Sequence, residues 1–556
     1  MSRRLASSLV SAPGLLVVAL LVYLPISLKF PLTRAEAMYA LIPREMLASG
    51  SWLTPYLNGV HYLDKPQLLY WLNLLAYHLL GPADWVARLV CLSLAMTEIW
   101  LAYLIGRRLF GPRPAWLGGF ILLSSVGFFT LHLQILTDHL VTVALAASCY
   151  FLLRWQEEPR NRWAALFHLS LVAGFLSKGF IGVVFPLLIG GLYAAEQRQP
   201  RFSRLFCCPR GLGLLLILII PWFVGVEQAN PGFLKHQIIN EQVMRFLGHR
   251  QPADIAPYSV GEFWLFAFIW LLPWTFLLPG ALYRFWQDTR PGGGTDSRAR
   301  LLLIWAGVVM SFFTLSASRV EYYSLPAFLP LALVLGWRVD RRLSGAGRRS
   351  FTWALIMLAS LGVGHLFLLP HLEQLCAANR PEFAGLGTLI RPFSYQTAIL
   401  VPGLAIFGLL AGPRRPRLAV ASLSALSLVL VCLTCQCLLT LSPVLSDKVP
   451  GEYVRAQAAP EDVLVMEYNE EFEYGASFSF YARRHILMVQ RDGMPRFPYP
   501  VPAPQNYLIS PERLRELWQG PRRVFLLIDH CVPREPFLAG AQVALSLPGK
   551  SLLVNQ

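Results

Sequence analysis

The sequence predicts a polytopic α-helical membrane protein that carries a small soluble α/β domain at its C-terminus. Of its 556 residues, 55% are hydrophobic and only 14% are charged, whereas soluble globular proteins carry about 25% charged residues. Long apolar runs recur as far as about residue 440, and the composition from Ser442 onward is typical of a soluble domain. In that domain strands are predicted at the short apolar runs Asp462–Tyr468, Phe478–Tyr481, Ile486–Val489 and Val524–Ile528, and a helix is predicted from Ser510-Pro511 through Trp518, followed by Gly520. We therefore divide the chain into a transmembrane part, residues 1–440, and a soluble part, residues 441–556.

Thirteen apolar runs predict about thirteen transmembrane helices. Several runs are shorter than the ~20 residues that a helix perpendicular to the membrane needs, so we expect the helix boundaries to differ by a few residues. The runs are Leu15–Leu28, Trp85–Ile105, Ala115–Leu131, His139–Leu153, Trp163–Leu176, Ile181–Ala194, Leu212–Val226, Glu262–Leu282, Leu301–Leu315, Leu325–Val339, Phe351–Leu369, Phe393–Leu410 and Leu418–Leu439.

Arginine clusters occupy every second connection between these runs. They begin with Arg3 and Arg4 and recur at residues 107–113, 154–162, 198–210, 284–300, 338–349 and 414–417. This is the positive-inside pattern, which places the N-terminus in the cytoplasm and explains the net charge of +16 without nucleic acid. With thirteen helices, the alternate connections and the C-terminal domain face outward.

The first outward connection, residues 31–83, is a polar stretch of some fifty residues between two membrane helices. A loop of this length is usually functional or a folded insertion. Met38, Leu41, Ile42 and Met46 share one face of a potential helix, which predicts a short helix lying in the membrane interface. A second such helix is predicted over Leu68–Leu80, and the two helices together would cover a cavity on the outer side.

Charged residues from distant parts of the chain recur on this same side. The outward connections carry Glu36, Asp64, Lys65, Asp138, Lys178, Lys235, His236, Glu241, Arg245, Arg250 and Arg319, together with the polar Tyr323. Outward lysines and arginines run against the positive-inside rule. We therefore expect an anionic ligand at the outer face of the membrane.

Each of these residues also has an ordinary structural explanation. Asp138 is either a functional carboxylate at membrane depth or a helix N-cap, and the residue alone favours neither. Lys65 is either a point charge on a phosphate or a solvated loop lysine. Glu36 on its helix could simply face solvent, and Tyr323 could be an interfacial tyrosine. Asp64, Asn240 and Glu241 could bridge a divalent metal, but this is a thin ligand set and we assign no metal.

The motifs of the opening loop resemble those of one enzyme family. Glu36-Ala37-Met38-Tyr39, Pro43-Arg44-Glu45-Met46 and Asp64-Lys65-Pro66 resemble the 4-amino-4-deoxy-L-arabinose lipid A transferases, with weaker matches at Ser177-Lys178-Gly179, Arg245-Phe246, Ser318-Arg319 and Tyr323. These enzymes are multi-membrane-spanning (GT-C) glycosyltransferases that use a polyprenyl-phosphate-linked sugar. The resemblance covers the whole chain and implies a GT-C fold.

The resemblance also implies roles for individual residues. The acidic pair of the family falls on Ala35 and Glu36, so this chain lacks the aspartate, and we expect Glu36 to serve in its place. Glu36 and Asp138 are the implied catalytic residues. The implied phosphate- and substrate-binding residues are Lys65, Arg245, Arg250, Arg319, Tyr323, Tyr39, Tyr62 and Lys178.

The implied reaction is inverting transfer of a sugar from undecaprenyl phosphate to lipid A or a related acceptor. It would take place on the periplasmic face of the bacterial inner membrane, with no certain cofactor. Two alternatives remain open, namely a protein O-mannosyltransferase-like enzyme and a transporter or flippase for a lipid-linked sugar. A glycine-rich nucleotide-binding loop does not occur in the sequence, which argues against an ATP-driven pump.

Overall fold

The computed structural model describes residues 11–251, 258–290, 292–374, 385–467, 472–490, 506–530, 532 and 534–555. Arg3 and Arg4, which belong to the predicted cytoplasmic N-terminus, lie outside these residues. The protein is mainly helical, with one small sheet near its C-terminus. Each of the thirteen predicted apolar runs coincides with a helix or a bent pair of helices.

The helices before the C-terminal region are numbered in chain order. They are α1 Ala12–Ser27, α2 Arg34–Ser49, α3 Leu68–Leu80, α4 Asp84–Phe110, α5 Pro112–Ser124, α6 Val126–His132, α7 Thr137–Glu157, α8 Asn161–Lys178, α9 Ile181–Glu196, α10 Phe202–Phe206, α11 Pro209–Ala229, α12 Phe233–Lys235, α13 Arg245–Leu247, α14 Val260–Trp270, α15 Leu278–Asp288, α16 Arg300–Leu315, α17 Leu325–Leu343, α18 Arg348–Leu368, α19 Leu386–Ala411 and α20 Pro416–Leu445. A π-helix, His236–Met244, joins α12 to α13.

Six helices among the described residues are long and apolar enough to cross a membrane. Two bent pairs raise this number to eight if each pair is one span, namely α5 with α6, bent by 62°, and Val260–Trp270 with Trp274–Asp288, bent by 100°. The protein is therefore a multi-pass membrane protein. The remaining predicted spans form helices that are shorter or carry more charge.

Small residues allow the central helices to approach closely. A Cβ atom added to Gly336 on α17 would lie 2.4 Å from the backbone nitrogen of Gly118 on α5. Close backbone approach between small residues is a common mode of helix association in membranes, where apolar side chains gain little by leaving lipid. The contact holds α5 and α17 together in the middle of the bundle.

The opening loop is an ordered structure built on α2. Thr33 and Glu36 form a capping box at the start of this helix, and Gly50 ends it in the left-handed conformation at φ 69°. A two-stranded hairpin follows, with β1 Tyr56–Leu57 and β2 Val60–His61. Its turn residues, Asn58 and Gly59, both have positive φ, as a tight hairpin turn requires.

The Glu45 carboxylate ties this hairpin to α2. It accepts hydrogen bonds from the backbone N–H groups of Asn58 and Gly59, both at 3.0 Å. Burial, opposed by these hydrogen bonds, raises the pKa of Glu45. Helix α3 then has the bounds that the sequence predicts, Leu68–Leu80.

The apolar face of α2 contacts protein, which differs from the predicted interfacial placement. Leu41, Ile42 and Met46 are fully buried in one cluster with Phe478 and Met488 of the C-terminal region. An amphipathic helix has the same sequence pattern whether its apolar face meets lipid or another part of the chain. The C-terminal region therefore covers the opening loop.

The C-terminal region begins with a helix and forms a six-stranded sheet. Its helices are α21 Lys448–Gln457, α22 Gly475–Ala482 and α23 Pro511–Gln519, and its strands are β3 Val463–Glu467, β4 Leu487–Val489, β5 Leu508–Ile509, β6 Val524–Asp529, β7 Gln542–Leu547 and β8 Lys550–Val554. The order is β5-β4-β3-β6-β8-β7. The first four strands are parallel, and β8 pairs antiparallel with both β6 and β7.

Sequence prediction of this region is partly correct. The apolar runs Asp462–Tyr468, Ile486–Val489 and Val524–Ile528 coincide with β3, β4 and β6, although Tyr468 lies outside the described residues. The helix predicted after Ser510 is present, with the Ser510 hydroxyl accepting from the N–H of Arg513. The apolar run Phe478–Tyr481, grouped with the strands, is helical, and strands β5, β7 and β8 are not predicted.

A buried ion network joins α2 to the C-terminal region. The Arg34 guanidinium donates to Asp447 at 2.9 Å and to Asp529 at 2.7 Å, and Lys550 donates to Asp447 at 2.8 Å. All four side chains are buried. Burial alone would raise the pKa of Asp447, but Arg34 and Lys550 outweigh burial and lower that pKa. The network orients α2 against the sheet.

We predict that Arg34→Ala lowers the free energy of unfolding by roughly 3–5 kcal/mol, because it leaves two buried carboxylates without their shared partner. Thermal unfolding of purified protein in detergent measures this effect. Arg513→Ala is the matched control, since Arg513 forms an exposed pair with Glu516, and such pairs contribute at most about 1 kcal/mol. Equal midpoints for both variants would contradict the structural role of the network.

Candidate functional site

Four segments that the sequence places on the outer side meet around one cavity. Its volume is about 360 Å³. The lining residues are Asp64, Lys65 and Pro66 of the opening loop, Lys178, Phe180, Ile181 and Val184 at the α8–α9 connection, Glu241, Gln242, Val243, Arg245, Phe246 and Leu247 after α12, and Phe312, Phe313, Ser316, Ser318 and Tyr323 around the α16–α17 connection. The predicted convergence of chain-distant charges is therefore present.

The polar end of the cavity is organised around Glu241. Its carboxylate accepts hydrogen bonds from Arg245 at 3.0 Å and Arg250 at 2.5 Å, and Lys65 Nζ lies 3.5 Å from Oε2. Burial alone would raise the pKa of Glu241, but Lys65, Arg245 and Arg250 outweigh burial and lower that pKa to about 2. Three cations therefore surround one carboxylate.

Asp64 connects the opening loop to the same cluster. Its carboxylate contacts His236 Nε2 at 2.9 Å and accepts from Arg250 at 3.1 Å. Asp64 and His236 are both buried. The ion pairs hold Lys65, the next residue, at the edge of the cavity.

Lys178 and Asp138 form a second charged group beside the first. The Lys178 ammonium lies 2.7 Å and 2.8 Å from the two carboxylate oxygens of Asp138. It also lies 4.1 Å from the centre of the Tyr323 ring, a distance typical of a cation–π contact. The N-cap of α7 is Leu136, and its side chain makes no capping hydrogen bond, so the capping alternative for Asp138 is not supported.

The cavity also has an apolar wall. Phe180, Ile181 and Val184 line it from one side, and Phe312 and Phe313 line it from the other. Phe185, one residue beyond Val184, contacts Phe312 edge to face at 5.1 Å between ring centres. A ligand that fits both parts of the cavity has an anionic group joined to an apolar chain.

Tyr39 and Tyr62 are buried near the charged groups, but they are not among the residues that line the cavity. The Tyr39 ring stacks on Tyr70 with centres 6.2 Å apart. Burial, together with the carboxylate of Asp138, raises the pKa of Tyr39, so its hydroxyl stays protonated. The Tyr62 hydroxyl donates to Glu473 at 3.4 Å, which ties the opening loop to the C-terminal region.

Arg319 lies beside the cavity and bonds to backbone. Its guanidinium donates to the carbonyl oxygen of Ser316 at 2.6 Å and to that of Tyr258 at 3.1 Å. These contacts fix the α16–α17 connection, whose Ser316 and Ser318 line the cavity. The structure thus gives Arg319 a positioning contact and does not bring its guanidinium to the cavity wall.

Glu36 is buried outside the cavity in a saturated hydrogen-bond network. Its carboxylate accepts from Arg88 at 2.6 Å and 2.9 Å, from the Ile135 N–H at 2.7 Å and from the Thr33 N–H at 2.8 Å. We therefore revise its predicted catalytic role, because a carboxylate so engaged holds the loop before Asp138 in place. Ala35, where the sequence resemblance implies an aspartate, is exposed.

Arg88 is the main residue that sequence reasoning missed. It lies in the first turns of α4, is 1% exposed, and also donates to the carbonyl oxygens of Phe30 and Pro31. The sequence feature that could have identified Arg88 is its position as a single arginine near the start of an apolar run. His236 was noted in the sequence only as one of several charged loop residues.

One set of potential metal ligands lies at the polar end. Asp64, His236 and Glu241 each offer an atom within 4.8 Å of the others, and all three are buried. His236 stands where the sequence suggested Asn240, whose side chain donates instead to the Gln251 carbonyl at 2.7 Å. Carboxylates and imidazole suit a first-row divalent ion, but Arg250 already donates to both carboxylates.

Comparison with known proteins agrees with the predicted resemblance. Residues 64–224 match the family model described as dolichyl-phosphate-mannose-protein mannosyltransferase. The chain is similar to the undecaprenyl phosphate-alpha-4-amino-4-deoxy-L-arabinose arabinosyl transferase of Edwardsiella ictaluri, with 31% identity over 59% of each chain. A namesake from Sodalis glossinidius is 32% identical over 57% of this chain and 58% of its own length. The chain thus spans less than two thirds of these curated relatives.

Solved structures show the fold. The crystal structure of ArnT from Cupriavidus metallidurans bound to undecaprenyl phosphate superposes with a TM-score of 0.77 at 22% identity, covering 98% of this chain and 97% of that chain. The apo structure of the same protein gives a TM-score of 0.75 with the same coverage and identity. The chain therefore has the GT-C fold that the sequence resemblance implies.

We predict that Glu36→Gln and Arg88→Met each lower thermal stability. The loss in the double variant should be smaller than the sum of the two single losses. Each single change leaves the other partner of a buried pair uncompensated, so the two effects are coupled rather than additive. Thermal midpoints of the four proteins give the coupling. Additive losses would show that the two side chains do not act as a pair.

Proposed function

We propose that this chain is a membrane glycosyltransferase that takes its sugar from a polyprenyl-phosphate-linked donor. Undecaprenyl phosphate is the proposed lipid, 4-amino-4-deoxy-L-arabinose the first-choice sugar, and lipid A or a related glycolipid the acceptor. The sugar and lipid carrier rest on the names of the similar arabinosyl transferases. The lipid A acceptor rests on the sequence resemblance.

The observation that carries the proposal is the two-part cavity. Lys65 and Arg245 stand at one end as donors for a phosphate, and Phe312 and Phe313 stand along the wall as a surface for isoprenoid units. Arginine and lysine are the usual phosphate ligands in proteins. A polyprenyl phosphate has this combination of charge and apolar length.

The cations would act on the leaving group. An oxygen of the acceptor attacks the anomeric carbon of the donor sugar, the bond from that carbon to the donor phosphate oxygen breaks, and the phosphate leaves with the electron pair. Charge develops on the departing phosphate, so fixed donors such as Lys65 and Arg245 stabilise the transition state more than the ground state. Attack from the opposite face inverts the configuration of the sugar.

Asp138 is the proposed group on the sugar and acceptor side. Lys178 pairs with its carboxylate and orients it, and a carboxylate can accept further hydrogen bonds beyond those from one ammonium. It would orient sugar or acceptor groups, or take a proton from a neutral acceptor hydroxyl. A lipid A phosphate acceptor is already anionic, in which case positioning dominates. Glu36 would contribute indirectly, because it accepts a hydrogen bond from Ile135 in the loop that leads to Asp138.

The membrane arrangement is part of the proposal. Thirteen spans with cytoplasmic arginine clusters would place the cavity and the C-terminal α/β domain in the periplasm of a bacterial inner membrane. The division at residues 440 and 441 would fall in the last turns of α20, which ends at Leu445. The opening loop, residues 31–83, would then lie between the bundle and that domain.

Protein mannosyl transfer is the second candidate, because the matched family model carries that description over residues 64–224. Both reactions require a polyprenyl- or dolichyl-phosphate sugar, so the acceptor separates them. Purified protein with a radiolabelled donor would label lipid A in the first case and an acceptor polypeptide in the second. Donor binding without transfer to any acceptor would instead support a carrier for the lipid-linked sugar.

We predict that Lys65→Ala lowers the transfer rate by roughly 10²-fold or more, because it removes a fixed cation from the leaving phosphate. Mass spectrometry of lipid A incubated with undecaprenyl-phosphate aminoarabinose and purified enzyme measures the rate. Lys235→Ala is the matched control, since Lys235 lies exposed in the neighbouring loop helix. Near-normal transfer by Lys65→Ala would remove Lys65 from the site.

We predict that Asp138→Asn lowers transfer by roughly 10²–10⁴-fold while donor binding stays within a few-fold of wild type. The substitution removes the charge that orients the reacting groups and leaves the cations around Glu241 in place. Binding of a radiolabelled donor, measured beside the transfer rate, separates the two effects. A variant that transfers normally would show that Asp138 serves only to neutralise Lys178.

A further inference from the structure

A second cluster of titratable side chains lies inside the helix bundle, apart from the cavity. Glu98 on α4, His132 at the end of α6 and His139 in the first turn of α7 each offer a ligand atom within 4.8 Å of the other two. Their exposed fractions are 1%, 2% and 0%. Ionisable residues at membrane depth are costly, and they are functional candidates by default.

The hydrogen bonds around His132 determine which of its ring nitrogens is free. Nδ1 lies 2.9 Å from the carbonyl oxygen of Phe128, which can only accept, so this nitrogen carries the proton. In the neutral ring, Nε2 then has a lone pair. That lone pair faces the Glu98 carboxyl oxygen Oε1 at 3.0 Å, so the contact requires either a proton on Glu98 or a cation between the two groups.

His139 is oriented in the complementary way. Its Nε2 lies 3.1 Å from the carbonyl oxygens of both Leu131 and Gln134, so this nitrogen carries the proton. Nδ1 therefore has the lone pair, and it is buried with no hydrogen-bond partner among the residues that the structure describes. The Glu98 oxygen Oε2 is also buried and without such a partner in the described part of the chain.

Glu98, His132 and His139 thus form one buried cluster of potential ligands, and either a proton shared by Glu98 and His132 or a metal ion can bridge it. A backbone carbonyl that accepts the other ring proton is the usual way in which proteins orient a metal-binding histidine. Two imidazoles and one carboxylate are a common ligand set for zinc and related first-row ions, with a further position open to water. Calcium and magnesium prefer oxygen ligands throughout, so they fit this set poorly.

We propose that Glu98, His132 and His139 bind a divalent transition metal, with zinc as the first choice, in a structural site inside the bundle. The metal would tie α4 to both ends of the 132–139 turn. That turn carries Ile135, whose N–H donates to Glu36, and Asp138, which pairs with Lys178. The site therefore fixes the backbone that presents Asp138, and it does not depend on which sugar or acceptor the enzyme uses.

The test is the zinc content of purified protein after washing with a weak chelator. The wild-type protein could also hold zinc at Asp64, His236 and Glu241, so the measurement uses His236→Ala, which removes that set. We expect about one zinc per chain to remain, because all three ligand residues are buried. A folded, monodisperse His236→Ala protein that retains no zinc, and takes up none on titration, would overturn the proposal.

Two further variants locate the metal. In the His236→Ala background, Glu98→Gln should fold, because the glutamine amide can donate to the free His132 nitrogen, and it should reduce the bound zinc to a small fraction of one equivalent. Ser93→Ala, on the exposed face of α4, is the control and should keep the metal. Zinc X-ray absorption should report nitrogen and oxygen neighbours that include imidazole. Unchanged zinc in Glu98→Gln, or a spectrum without imidazole, would contradict the assignment.

Discussion

The cavity depends on one buried carboxylate. Glu241 draws Lys65, Arg245 and Arg250 to a single point, although the first of these lies almost two hundred residues from the other two. Three cations packed together without an anion would repel one another and would be expensive to remove from water. The Glu241 carboxylate offsets this repulsion and allows the three cations to pack together.

The opening loop is held by charge rather than by the membrane. Arg34 binds Asp447 and Asp529 of the C-terminal region, and two residues later Glu36 binds Arg88 of the bundle. One turn of helix thus connects the sheet to the membrane helices. Ala35 lies between these two residues and is exposed. The resemblance implies an aspartate at this position, and the alanine leaves the contacts of Arg34 and Glu36 intact.

Much of the site follows from sequence because the side of the membrane can be derived from it. The arginine clusters predict an orientation that places Lys65, Asp138, Lys178 and Tyr323 on one face of the membrane, and the structure brings these residues close together. Their partners could not be derived in the same way. The pairing of Glu36 with Arg88 places a lone arginine of an apolar run against a loop carboxylate, and Arg319 bonds to carbonyl oxygens that no side-chain pattern reveals.

The fold shows the same division. The apolar runs located the helices, since a stretch long enough to span a membrane is a strong signal. Short runs were ambiguous, because four apolar residues such as Phe478–Tyr481 suit a buried helix as well as a strand. The face of α2 was assigned to lipid although it meets the sheet, because hydrophobic periodicity identifies a buried face and not its partner.

The most direct test of the central claim is a cryo-electron microscopy structure of the protein with undecaprenyl phosphate bound. We expect the phosphate within hydrogen-bonding distance of Lys65 and Arg245, and the first isoprenoid units against Phe312 and Phe313. A phosphate bound elsewhere, with Lys65 and Arg245 still paired with Glu241, would contradict the assignment of the cavity as the donor site.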